Sequence, residues 1–75
     1  MSRMAPVSGP ELVRVLQRAG FVIVRTRGSH FIMSRGERIL TVPCHGSSTL
    51  PRGTQRGILR DAGISPEAFE TLRRR

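Results

Sequence analysis

The stretch FVIVRTRGSHFIMSRGERILTVP, residues 21–43, decides how this chain folds. It is rich in Val, Ile, Phe and Thr and is punctuated twice, by Gly28-Ser29 and by Gly36-Glu37. β-Branched and aromatic residues between glycine-led dipeptides spell strands joined by two-residue turns, and glycine in the first turn position suits the type II′ hairpin. The stretch is therefore expected to form a three-stranded antiparallel meander. With two-residue turns the register follows by arithmetic: Arg27 faces His30, Arg35 faces Arg38, and His30 lies opposite Pro43. Facing residues share a side and neighbours alternate. One face then collects Val22, Val24, Thr26, Phe31, Met33, Leu40 and Val42, and must lie against helices. The other collects Phe21, Ile23, Arg25, Arg27, His30, Ile32, Ser34, Ile39 and Thr41. A slip of one residue would bury arginine and expose Phe31.

The flanks supply the helices. Ser8-Gly9-Pro10-Glu11 reads as a capping box, and proline fits a first helical turn because its missing N–H has no partner there. Leu12, Val13, Leu16 and Ala19 follow at helical spacing, so a helix over about 9–19, closed by Gly20, is expected. Residues 1–7 read as a loose arm. After Pro43 comes a polar loop, Cys44-His45-Gly46-Ser47-Ser48-Thr49. Leu50-Pro51-Arg52-Gly53 opens a second helix that Thr49 can cap, with Leu50, Thr54, Ile58, Leu59 and Ala62 as its buried stripe and Gly63 as its end. Ser65-Pro66-Glu67 starts a short C-terminal helix anchored by Phe69 and Leu72. Arg73-Arg74-Arg75 reads as a mobile basic tail. No internal domain boundary is visible, so residues 1–75 are expected to form a single domain.

At 75 residues, with 13 basic residues against 5 acidic and a formal net charge of +8, the chain carries a dense positive field. Such a field suits a polyanionic partner, either nucleic acid or an acidic protein. Every basic residue is arginine, which matches codon bias as well as a preference for guanidinium forks on phosphate. One cysteine, Cys44, permits no internal disulfide and points to a reducing compartment. No apolar run is long enough to span a membrane, and the first residues lack a signal-peptide core, so a cytoplasmic protein is expected.

Cleaving a phosphodiester by attack of the ribose 2′-hydroxyl needs a base, an acid, and positive charge for the developing phosphorane. Histidine suits the first two roles near neutral pH, and arginine the third. His30, after the turn Gly28-Ser29 and beside Arg25 and Arg27 on the open face, supplies such a set. His45, two residues beyond the partner of His30, emerges at the same end of the sheet. It serves either as a second acid or base or only within its own loop. The acidic residues Glu11, Glu37, Asp61, Glu67 and Glu70 are scattered, and one cysteine with two distant histidines falls short of a zinc set, so neither metal nor cofactor is expected. Cys44 reads as structural or incidental.

The run Leu12 to Leu16, Ala19-Gly20-Phe21, Arg25, Gly28-Ser29-His30, Thr41-Val42-Pro43, His45-Gly46, Leu50-Pro51, Gly53-Thr54, Ile58-Leu59 and Ala62-Gly63-Ile64-Ser65 resembles the HicA (YcfA-like) mRNA interferase toxins. That resemblance implies an α+β fold like the double-stranded-RNA-binding domain, α-β-β-β-α, with helices on one face of the sheet. It also implies an RNA-cleaving toxin that arrests translation, and a cognate HicB-type antitoxin that neutralises it. Operator DNA would be met only through that antitoxin. His30 matches the family's catalytic histidine, and His45 a recurrent position of less certain role. Arginine in place of the lysines common in the family, and Cys44 in place of a small aliphatic residue, are the departures. On this view Gly28, Ser29, Arg25 and Arg27 hold RNA phosphate, while Ile23, Ile32 and Ile39, apolar on the open face, meet the antitoxin, which masks His30.

Two other classes compete with the enzyme. A non-catalytic module that binds A-form RNA accounts for charge and fold equally well but has no need of a titrating group at His30. A basic adaptor for an acidic protein would show no RNA affinity even at low salt.

Overall fold

The structure, a computed structural model, describes residues 4–75. Its first helix, α1 (Gly9–Arg18), begins where the capping box places it. The Glu11 amide donates to Ser8 Oγ at 3.2 Å, and the Glu11 carboxylate accepts from the Ser8 amide at 2.8 Å. Leu12, Val13, Val15 and Leu16 are buried. At the exit Gly20 takes φ +99°, the Phe21 amide donates to Leu16 O at 2.9 Å, and the Gly20 amide donates to Gln17 O at 3.0 Å. These are the two bonds of a Schellman ending. They turn Phe21 inward, where it is 1% exposed, so it belongs to the core and not to the open face expected for it.

Three antiparallel strands follow, β1 (Val22–Arg27), β2 (His30–Arg35) and β3 (Arg38–Pro43), in the order β1-β2-β3. Gly28 and Gly36 take φ of +55° and +60°, and no non-glycine residue has positive φ, the pattern of a II′ turn. The three expected pairs hold: Arg27 with His30, Arg35 with Arg38, and His30 with Pro43.

The far half of β1 departs from the expected register. Ile23 pairs with Met33 but Arg25 pairs with Ile32, leaving Val24 as a bulge residue without a partner. One extra residue inverts the alternation beyond it. Val22, opposite Ser34, therefore lies on the open face, and Ile23, opposite Met33, on the helix-covered side. Both assignments reverse the sequence-based ones. Nor does the helical layer bury β1, all six residues of which are exposed. Val22 and Val24, expected under helices, are 57% and 56% exposed.

The helical layer covers β3 and the buried side of β2. It consists of α1, α2 (Arg52–Ala62) and α3 (Pro66–Arg73). The order is thus α-β-β-β-α-α, an α+β fold with an open sheet. Met33, Leu40 and Val42 meet Leu12, Leu16, Leu59 and Phe69 in one core. Ser65 caps α3 through its bond from the Ala68 amide, as expected, and Phe69 is fully buried. The start of α2 is different: its N-cap is Pro51 with no side-chain cap bond, and Thr49 instead forms a backbone bridge with Ser8. Thr54 is exposed, and Gln55 takes the buried position, 3% exposed.

Gln55 also accounts for the start of the chain. Its Nε2 donates to Ala5 O at 2.8 Å, and its Oε1 accepts from the buried Val7 amide at 3.2 Å. Residues 4–7 are therefore tied down, contrary to the loose arm expected; residues 1–3 of that arm lie outside the described residues. The basic tail is also engaged, since Arg73 closes α3 and pairs with Glu70 at 2.9 Å, with Arg74 3.4 Å from the same carboxylate.

Candidate active site

His30 opens β2 immediately after the Gly28-Ser29 turn, and its exposed side shares a face with Arg27, directly across on β1, and with Arg25, opposite Ile32. Two-residue hairpin geometry forces this grouping, because the pair that closes the turn always faces the same way. Arg25 and Arg27 form no ion pair with any carboxylate among the described residues.

The second histidine arrives through the backbone. The chain leaves β3 at Pro43, and the Cys44 amide donates to Ser29 O at 2.6 Å. That bond ties the residue before His30 to the residue before His45. The two imidazoles stand with ring centroids 6.2 Å apart and planes at 81°, both exposed. At that separation and angle the rings meet edge to face.

Cys44 does not join them. Its thiol donates to Val42 O at 3.7 Å, is half-buried, and burial pushes its pKa up, so it stays protonated and a poor nucleophile. Among the described residues no group of three or more His, Cys, Asp or Glu is placed to hold a metal ion.

One residue that shapes this site was missed in the sequence. Gly9, read only as part of a helix start, packs against the end of β3: a β-carbon there would lie 2.1 Å from Pro43 O and 2.7 Å from Cys44 Cα. The start of α1 thus sets where the segment carrying His45 can run. Nothing local marks Gly9 for this, since the contact joins residues far apart in sequence.

The apolar residues around the site differ from those expected. Ile39, 70% exposed, and half-buried Ile32 share the face of His30, whereas Ile23, 39% exposed, points to the other side. Val22 takes its place on the open face.

The family model described as the HicA toxin of bacterial toxin-antitoxin matches residues 9–64 of the 75-residue chain, from the first residue of α1 to just past α2. No curated protein matches the chain. No helix of the described residues is long and apolar enough to cross a membrane.

Proposed function

The chain belongs to the HicA toxin family of bacterial toxin-antitoxin systems, and from that premise we propose that it is a metal-independent endoribonuclease acting on mRNA in the cytoplasm. The observation that carries this reading is the approach of His30 and His45 to 6.2 Å beside Arg27 on an uncovered sheet face. One imidazole takes the proton of a ribose 2′-hydroxyl as its oxygen attacks phosphorus. The other gives a proton to the departing 5′-oxygen as the P–O bond breaks. The products are a 2′,3′-cyclic phosphate and a 5′-hydroxyl, so neither water nor a metal enters the step. Arg25 and Arg27 neutralise the charge that builds on the non-bridging oxygens. The Gly28-Ser29 turn lets the RNA backbone approach closely.

His30 is assigned the principal acid–base role and His45 the complementary one. Proton transfer from a positioned side chain typically contributes about 10²–10⁴-fold in rate. The antitoxin is assigned to this same face, where it hides His30 and offers carboxylates to the arginines.

The test is cleavage of a defined single-stranded mRNA, with EDTA present, by the wild type and by His30→Ala and His45→Ala. We expect loss of cutting in His30→Ala with fold and RNA affinity retained, a fall of about 10²-fold or more in His45→Ala, and cyclic phosphate ends on the products. Equal cutting by wild type and His30→Ala removes His30 from the mechanism. RNA binding with no cutting by any form favours the non-catalytic module.

A further inference from the structure

The strand β1 is the least covered element of the fold. It lies at the edge of the sheet, and its outer side pairs with no other strand among the described residues. Val22, Ile23 and Val24 are exposed by 57%, 39% and 56%. An exposed apolar edge strand is a template for another strand, and proteins that leave one open usually cover it.

Which occupant fits follows from how the apolar groups are distributed. Val22 lies on the His30 face and Ile23 on the opposite one. A partner resting on the open face would bury Val22 and leave Ile23 in water. A segment added along the edge buries both, because its own side chains alternate across the two faces as those of β1 do. Farther along the strand Arg25 and Arg27 sit on the His30 side without carboxylate partners. An incoming strand with acidic residues at the facing positions would satisfy them as cross-strand pairs.

A second copy of the chain does not suit the site. Its own β1, VIVRTR, offers no carboxylate to Arg25 and Arg27, and pairing would bring together two molecules of net charge +8. RNA suits it no better, since aliphatic side chains offer phosphate nothing and provide no ring for bases.

We propose that β1 is a strand-addition site, and that the toxin's antitoxin docks there with an extended segment that is apolar where it meets Val22 to Val24 and acidic where it meets Arg25 and Arg27. This rests on the toxin-antitoxin reading above and deepens it, since a strand laid beside Arg27 stands at the lip of the His30 site. The bulge at Val24 then has a role. It interrupts the regular edge, so that only a strand matched to the kink pairs along its whole length.

The test is amide hydrogen exchange of the full chain, free and in complex with the antitoxin co-expressed from the adjoining gene. Affinities are measured in parallel for Ile23→Glu and for Ile23→Val. We expect the β1 amides that point away from β2 to exchange at least about tenfold more slowly in the complex. We also expect Ile23→Glu to weaken binding more than about tenfold, and Ile23→Val to bind nearly as wild type. Unchanged exchange along β1 in a complex that still blocks RNA cleavage would overturn strand addition while leaving the masking of His30 intact. Wild-type affinity of Ile23→Glu would do the same. Protection of β1 in the free protein that grows with concentration, or on adding RNA alone, would assign the edge to a second copy or to RNA instead. Failure of any antitoxin to bind would remove the reading on which the proposal rests.

Discussion

Arg35 and Arg38 face each other across the turn between β2 and β3, and each donates to a carbonyl at the end of a different helix. Arg35 Nη1 reaches Ala19 O, the C-cap of α1, at 2.7 Å, and Arg38 Nη1 reaches Asp61 O in the last turn of α2. Arg18 does the same for α3, reaching Leu72 O at 3.0 Å. All three helices therefore end on an arginine, which supplies donors to orphan carbonyls and positive charge to the negative end of the helix dipole. Arg35 also lies 4.9 Å over the Phe21 ring. Part of the high positive charge thus holds the fold together, whereas Arg25 and Arg27 on the open face form no ion pair among the described residues.

The helix-end contacts are expected to be measurable by thermal unfolding. Arg38→Ala should cost about 1 kcal/mol, combining a charge-assisted bond with a dipole contact, both partly exposed. In so small a domain that lowers Tm by roughly 4–8 °C. Arg35→Ala should cost somewhat more, because the contact with Phe21 is lost as well. Arg56→Ala, at an exposed residue without an ion pair among the described residues, should stay within about 0.5 kcal/mol of wild type. Equal Tm values for all three variants would show that the two clamps contribute nothing.

These contacts also explain what was legible in the sequence. The capping box at Ser8 and the glycine-led turns are local devices, complete within four residues, so helix start and register could be read directly. Turn arithmetic pairs Arg35 with Arg38, but their helix partners are fixed only by tertiary packing. The bulge at Val24 has no glycine to announce it, so strict alternation from the turn puts Val22 and Ile23 on each other's faces. No local signal marks Gln55 for burial, because its partners, Ala5 and Val7, lie about fifty positions away. His30 could be placed from its turn alone, whereas the approach of His45 depends on the bond from Cys44 to Ser29.

Stability should fall with acid through Glu11. The Ser8 backbone amide, then the Ser8 side chain, hold the Glu11 carboxyl below its ordinary pKa. Between the folded and unfolded pKa values the unfolded chain binds more protons, so this contribution is present above the usual glutamate range and is lost as pH falls through the folded value. Glu70, held down by Arg73, acts with the same sign. Glu11→Gln keeps an acceptor for the Ser8 amide but does not titrate. Urea midpoints taken from about pH 6 down to about pH 3 should therefore fall less steeply in the variant than in wild type. Parallel curves would mean that Glu11 is equally perturbed in the unfolded chain.

Gln55→Ala should loosen the start of the chain. The substitution strands the buried Val7 amide and removes the donor to Ala5 O, and an unsatisfied buried group costs about 1–3 kcal/mol. Amide exchange should rise first at residues 5–8, with the sheet affected only through global stability. An equal loss of protection along β2 and β3 would instead show that residues 4–7 unfold together with the sheet.

Gly9→Ala opposes two effects whose magnitudes can be ranked. Alanine is the better helix former by up to about 1 kcal/mol, and it also narrows the unfolded ensemble. Against this, the new methyl would stand 2.1 Å from Pro43 O and 2.7 Å from Cys44 Cα, both backbone atoms that no side-chain rotation can clear. Overpacking of that kind costs about 1–3 kcal/mol, so a net loss of stability is expected in urea titrations. Relief must come from moving the end of β3 away from α1, and that end carries Cys44, whose amide is hooked to Ser29, and then His45. At a temperature where both proteins are fully folded, the proposed function then requires RNA cleavage to fall while the RNA affinity it assigns to Arg25 and Arg27 holds. A variant as stable as wild type that cuts at the same rate would mean that the approach of His30 and His45 is set by something other than the pressure of α1 on Pro43.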